Sequence, residues 1–262
     1  MKGLLMHVGA DNSNMGTVGI SNPMFEDDSF EFIPIIEGCD GTSKSGCTTM
    51  ETRTYFTIPT RNSKFGKRLS DFVPSDVKDK VVHYDPDFDN FTYSDPLDEI
   101  RGRMLSKLNR GDYLFFVSSL APFNANAYLG GNRKLIKSWQ KGKMAKYLVG
   151  YFEIQSVYNV TNNSHRIKVN NVPNVEKNTL IRIKENAHSK RNRDQFTIAV
   201  GRKDRKTGLL QKAVQLTQVG GPFKPTNLAR EIYGDKSFPR GFKLITETGK
   251  VKIFLNTVSS VV

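Results

Sequence analysis

The sequence predicts an α+β fold dominated by strands, with a curved central sheet or a β-barrel and a few short helices. Three observations carry this. Short apolar or alternating runs recur along the 262 residues, as at 113–117, 147–154 and 196–200. Only short segments read as helices, chiefly 97–108, whose Ile100, Met104, Leu105 and Leu108 share one face. No linker, internal repeat or low-complexity stretch divides the chain, so residues 1–262 read as one domain with a sizeable core.

Taken in order, the run from Leu4 to Val8 reads as a buried strand that stops at Gly9. Gly9, Gly16 and Gly19 lack the spacing of a dinucleotide-binding turn, and Pro23 with Glu26, Asp27 and Asp28 replaces the helix such a turn would open. Residues 30–36 begin by alternating and read as a strand that Pro34 places at an edge. Segment 69–72 reads as a short helix stopped by Pro74, and 81–84 as a short strand running into an acidic loop, 85–95. After Gly111 and Asp112 comes the unbroken strand 113–117, and then a polar excursion at 121–146. Strand 147–154 follows, with 157–160 extending it. Residues 181–184 and 196–200 alternate as strands. The run 209–216, a short helix at 226–233 and a last pair of strands joined at Gly249 complete the chain.

Charge is unevenly distributed. Residues 1–100 carry 17 acids against 9 bases, whereas residues 101–262 carry 9 acids against 30 bases, a net of +21. Such asymmetry points to a polyanion partner for the basic part, nucleic acid before a membrane surface, since phosphate contacts dominate nucleic-acid affinity. DNA is favoured over RNA. No stretch approaches the ~20 apolar residues of a membrane span, and no signal-peptide pattern opens the chain. A cytoplasmic protein is therefore expected, with Cys39 and Cys47 as free thiols.

Residues 133–146 hold Arg133, Lys134, Lys137, Lys141, Lys143 and Lys146 without an acid, and a second basic stretch contains Lys190, Arg191 and Arg193. These residues, Lys146 aside, are the expected phosphate contacts. Trp139, in a polar setting, is a candidate for stacking on a base.

The chemistry-bearing candidates lie elsewhere. Asp85, Asp87 and Asp89 alternate as in a calcium loop, but Pro86 breaks the loop, Asn90 replaces the required Gly and Pro96 stands where a bidentate Glu belongs. No metal ligands are assigned, and no motif names a cofactor. His83 ends an apolar strand beside this acidic loop, where carboxylates can orient it for proton transfer. His188 lies among cations in the basic stretch. The expectation is that His83 and His188 approach one pocket across 105 positions.

Ordered motifs carry a family resemblance. They are Val8-Gly9-Ala10-Asp11, Pro23-Met24-Phe25-Glu26-Asp27, Phe30-Glu31-Phe32-Ile33-Pro34-Ile35, His83-Tyr84-Asp85-Pro86-Asp87-Phe88, Phe91-Thr92-Tyr93-Ser94-Asp95, Gly150-Tyr151-Phe152-Glu153-Ile154 and Asn186-Ala187-His188. In this order they resemble the nucleotide modification associated domain 3 family, from about residue 4 to about residue 245. The resemblance implies a role beside DNA base modification and carries over no reaction. It marks Asp11, His83, Asp85, Asp95 and His188 as matching motif positions. His7, Ser94 and Ser189 depart from the family's usual Arg, Gly and aromatic residue. Residues 111–154 also resemble, more loosely, PUA-like modules, which are small barrels that bind nucleic acid; this implies a curved sheet or barrel at the centre of the chain.

Two readings follow. In one, the chain binds a modified or flipped base or nucleotide within a DNA base modification system. In the other, it is an enzyme that modifies or excises a base, with Asp11, His83, Asp85, Asp95 and His188 as acid/base groups. Convergence of histidines and carboxylates on one pocket favours the enzyme, and an aromatic-walled pocket favours the reader.

Overall fold

The computed structural model describes residues 1–10, 18–38, 47–61, 64–170, 174–203, 207–234 and 237–259, with residues 193, 194 and 222 described by backbone alone. The strands are β1 (Gly3–His7), β2 (Asn22–Met24), β3 (Ile35–Ile36), β4 (Val82–His83), β5 (Thr92–Pro96), β6 (Tyr113–Pro122), β7 (Ala145–Asn163), β8 (Arg166–Val169), β9 (Arg193–Gly201), β10 (Gly208–Gln215), β11 (Thr217–Gln218), β12 (Gly221–Pro225) and β13 (Phe242–Ile245). The helices are α1 (Ile100–Leu105), α2 (Ala125–Tyr128), α3 (Arg133–Gln140), α4 (Lys177–Glu185), α5 (Ala187–Lys190), α6 (Asn227–Tyr233) and α7 (Thr248–Ser259).

Nine strands form one mixed sheet whose path runs β13-β1-β6-β7-β9-β5, with β2 joined to β6 and both β8 and β10 to β7. The path ends at β13 and β5, so among the described residues the sheet is open. Of the two expected architectures, the curved sheet rather than the barrel is found. β1 lies parallel to β6 and antiparallel to β13. Both its edges are paired, and Leu4, Leu5 and Met6 are fully buried, which explains an unbroken apolar run rather than an alternating one. Phe115, Phe116 and Phe152 fill the core beside it, and Phe254 stacks on Phe115 at 4.7 Å between ring centroids.

The 19 residues of β7 serve two neighbourhoods. The first half pairs with β6 from Leu120↔Ala145 to Tyr113↔Glu153, and the second with β9 from Ile154↔Gly201 to Asn163↔Arg193. β5 then pairs with the far side of β9.

Three local readings are corrected. Residues 181–184 lie in α4, not in a strand: Ile183 is buried but Ile181 is half exposed. Four alternating residues fit a helix period as well as a strand period. The last pair of strands is β13 followed by α7, because Val251, Phe254 and Val258 fall at helical spacing and bury together. The polar excursion 121–146 holds two helices. Asn124 and Asn132 open them, their side chains accepting from the N–H groups of Ala127 and of Lys134 and Leu135. Cys47 is in a disulfide rather than a free thiol; Cys39 lies outside the described residues. No described helix is long and apolar enough to cross a membrane.

α1 packs on β5 through Gly102, where an added Cβ would stand 2.1 Å from the carbonyl oxygen of Pro96. Gly→Ala inside a helix ordinarily stabilises by about 1 kcal/mol. Here the obstacle is backbone and cannot rotate away, and overpacking costs ~1–3 kcal/mol. Gly102→Ala is therefore expected to lower stability by about 2 kcal/mol in urea denaturation. A variant as stable as the parent would contradict this packing.

Candidate functional site

Three segments converge on a cavity of about 280 Å³. The first is the β3–β4 pair, whose register Ile35↔His83 brings Glu37, just past β3, beside His83. The turn after β4 then presents Asp85, whose N–H donates to the His83 carbonyl at 2.9 Å. Asp87 organises the rest of the acidic loop. Its carboxylate accepts from the N–H groups of Asp89 and Asn90 and from the Asn90 amide, and it is fully buried. The loop is thus a folded turn built on Asp87, and Asp85 is left for the cavity.

The second segment is β5, which carries Tyr93, Ser94 and Asp95 opposite Ala199, Ile198 and Thr197 of β9. The third is α5, opened by Asn186, whose side-chain oxygen accepts from the His188 N–H at 3.0 Å. This cap places His188 against the other two segments. The His83 and His188 rings meet edge to face, 5.0 Å between centroids, and Nε2 of His188 is 4.0 Å from Asp85. The two histidines therefore share one pocket, as the sequence reading expected.

The carboxylates differ in electrostatics. Burial pushes Glu37 up, but the His83 hydrogen bond and the Arg191 guanidinium outweigh it and hold Glu37 at about 2. Nδ1 of His83 is 2.9 Å from Glu37, and Arg191 donates to the other Glu37 oxygen through Nε at 3.2 Å and Nη2 at 2.9 Å. Nη2 of Arg191 also stands 3.1 Å from Nδ1 of His83, so the imidazole, the carboxylate and the guanidinium form one contact group.

Asp85 behaves oppositely. Burial drives its carboxyl well above the ordinary range, although the Ser94 hydroxyl and N–H oppose this. The Ser94 hydroxyl stands 2.8 Å from Asp85 and 2.6 Å from the Asn186 side-chain oxygen. One hydroxyl proton cannot serve both acceptors. The hydroxyl therefore donates to one of the two oxygens and lies against the other. Burial also raises Asp95, with Arg101 and the Tyr93 hydroxyl opposing. Tyr93 donates to Oδ2 of Asp95. Oδ1 accepts no hydrogen bond among the described residues, though Nε of Arg101 is 3.3 Å away.

Of the residues singled out from sequence, His83, Asp85, Asp95 and His188 line this cavity. Asp11 lies outside the described residues. Lys190 and Arg191 do not face open solvent: Lys190 pairs with Glu51 at 3.1 Å and Arg191 with Glu37 at 2.9 Å. The side chain of Arg193 is outside the description. Lys134, Lys137 and Lys141 are exposed on and beside α3. Arg133 pairs with Asp76 at 2.7 Å, and Lys143 caps the Trp139 ring at 3.0 Å from its centroid. Trp139 is half buried, its indole N–H donating to the Pro122 carbonyl at 2.7 Å.

Sequence reading missed Glu37, Ser94, Arg101 and Asn186 as site residues. Asn186 was legible as a helix cap before Ala187 and His188; Glu37 became a partner of His83 only through the β3–β4 pairing. No metal ligands were legible in the sequence either: the acidic loop 85–95 lacks the pattern of a calcium loop, and His188 stands far along the chain from His83 and Asp85. In the fold, ligand atoms of His83, Asp85 and His188 lie within 4.8 Å of one another, all buried.

A family model described as nucleotide modification associated domain 3 matches residues 2–237. No curated protein and no solved structure matches the chain.

Glu51 ties the end of α5 to Arg53. Its carboxylate accepts from Arg53 at 2.6 Å and from Lys190 at 3.1 Å. Burial pushes it up, yet Arg53 and Lys190 bring it down to about 2 from 4.5. A folded-state value below the unfolded one gives stability that is present above pH 4.5 and lost as pH falls towards 2. Glu51→Gln is expected to cost about 2 kcal/mol at pH 7, and its deficit should shrink in urea denaturation between pH 4.5 and pH 2. A deficit independent of pH would remove the charge pair as its cause.

Proposed function

The chain belongs to the nucleotide modification associated domain 3 family, and on that footing we propose that it is an enzyme acting on the base moiety of a nucleotide or nucleic acid. The observation that carries this reading is the convergence of His83, Asp85, Asp95 and His188 on one cavity. Among the described residues, Tyr93 is the only aromatic side chain besides the histidines that lines the cavity, which favours this reading over a base reader with aromatic walls.

The cavity's charge supports a base rather than a phosphate as its occupant. Asp85, Asp95 and Glu99 line it together with Arg101 and Arg191, and Glu37 stands behind His83 paired with Arg191. Carboxylates repel phosphate but accept from exocyclic amino groups at base edges. Oδ1 of Asp95, which accepts no hydrogen bond among the described residues and has Arg101 3.3 Å away, is such an acceptor. At about 280 Å³, the cavity is at the small end of ligand sites, which span ~300–1,000 Å³. A flipped base entering it leaves its phosphates outside.

Carboxyls of different proton affinity stand beside two imidazoles, and such a spread supports proton transfer to and from a base. Exposed Lys134, Lys137 and Lys141 then hold the phosphates, without sequence preference. A polymer substrate is favoured over a free nucleotide by this basic surface, and DNA over RNA by the family's association with DNA base modification.

The test is nucleoside mass analysis after incubating the protein with single-stranded and duplex DNA. A new nucleoside or a released base is expected, with Asp95→Asn slowing its formation at least ~100-fold. Tight DNA binding with every base unchanged would replace the enzyme by a reader. Binding should also weaken with salt, log K falling by ~0.9 per log unit for each B-DNA phosphate engaged. Reversing Lys134, Lys137 and Lys141 to Glu should reduce that slope and weaken all sequences alike. Unchanged affinity would place the phosphate contacts elsewhere.

A further inference from the structure

We propose that His83, Asp85 and His188 bind one divalent first-row transition-metal ion. The inference deepens the enzymatic reading and rests on it for what the ion would do, while the binding itself stands on geometry.

The donors come from two distant parts of the chain, yet their ligand atoms lie within 4.8 Å of one another and all three residues are buried. Burying an ionisable carboxyl and two imidazoles together is costly unless they are paired or coordinate a metal. Two imidazole nitrogens with one carboxylate oxygen suit zinc, iron, cobalt or manganese. They do not suit calcium, which takes six or more oxygens, or copper(I), which takes thiolates. Three protein ligands leave further positions open, as catalytic rather than structural sites do. All three residues line the cavity, so an ion held by them would be open to a molecule entering it.

The surroundings hold each ligand in place. Glu37 accepts at Nδ1 of His83, the carboxylate–histidine arrangement that fixes a metal-bound imidazole. The Ser94 N–H donates to Asp85 at 3.0 Å, and the Ser94 hydroxyl stands 2.8 Å from the same carboxyl. The Asn186 cap sets the start of α5 and with it His188. Arg191 is the nearest competing cation. Its Nε and Nη2 donate to Glu37, Nη2 also stands 3.1 Å from Nδ1 of His83, and Nη1 is 3.5 Å from Nδ1 of His188, so its contacts with both rings are at Nδ1. The site's carboxylates outnumber its guanidiniums, although the chain as a whole carries +13. A cation is what this pocket's field attracts.

The test uses the full chain, stripped with a chelator and titrated with zinc chloride by calorimetry, and with cobalt(II) followed by visible absorption. One ion per chain is expected, and the cobalt complex of the parent protein should show the visible bands of nitrogen and oxygen ligation in a site of low symmetry. His188→Ala and Asp85→Asn should each weaken zinc at least ~100-fold, and Glu37→Gln, which acts through His83, ~10–100-fold. Thermal melting shows that each variant folds without metal; zinc should raise the melting temperature of the parent and not of His188→Ala. No saturable binding, no cobalt bands, or zinc affinity undiminished in a folded His188→Ala would each overturn the site. The enzymatic reading fails separately: metal binding with no altered nucleoside keeps the ion and removes the enzyme, whereas base modification by the stripped protein keeps the enzyme and removes the ion from its reaction.

Discussion

Strand β7 must pair its backbone along 19 residues, and the rest of the sheet is arranged to meet that demand. Buried N–H and C=O groups need partners. β6 and β10 supply them along the first half, β9 and β8 along the second. The register of β7 with β9 then has consequences far from either strand. β9 follows α5 directly and pairs with β5 on its other side, so it decides where His188 and Asp95 stand relative to one another. A register irregularity at Ile154/Ser156 marks where β7 passes from β6 to β9, and another at Phe116/Val117 lies within its pairing with β6. Such bulges increase local twist, which keeps a long strand from lying flat.

The pocket faces a different demand, since several carboxyl groups are out of water at once. Each is accommodated in its own way. Glu37 keeps its charge because Arg191 and His83 face it. Asp85 is surrounded by neutral donors, and burial prevails. Asp95 lies between, with Arg101 and the Tyr93 hydroxyl offsetting part of the burial. A uniformly paired pocket would be a set of structural ion pairs. Unequal compensation keeps groups of different proton affinity in contact, which is the arrangement acid/base and metal-ligating sites share.

Much of this was legible in the residues. His83 beside an acidic loop and His188 beside an Asn cap both carried a local signal, and both meet in the cavity. The apolar runs at 113–117, 147–154 and 196–200 are strands because no other element buries such short runs on both faces. The basic stretch at 190–191 misled for a definable reason. Its density of cations without nearby acids describes the neighbourhood in the chain, whereas Glu51 and Glu37 arrive from 139 and 154 positions away.

By itself, the sequence determined the strand-rich α+β character, the acidic and basic halves, and which histidines and aspartates were worth following. Those properties are set by side-chain type and by patterns spanning fewer than ten residues. The tertiary structure alone decided that 181–184 is helical, that α7 rather than a strand closes the chain, that the sheet stays open, and that His83, Asp85 and His188 form one cluster. Burial selects between helix and strand where a short pattern fits both. Likewise, sheet register, set by hydrogen bonds between segments far apart in the chain, decides which distant side chains become neighbours.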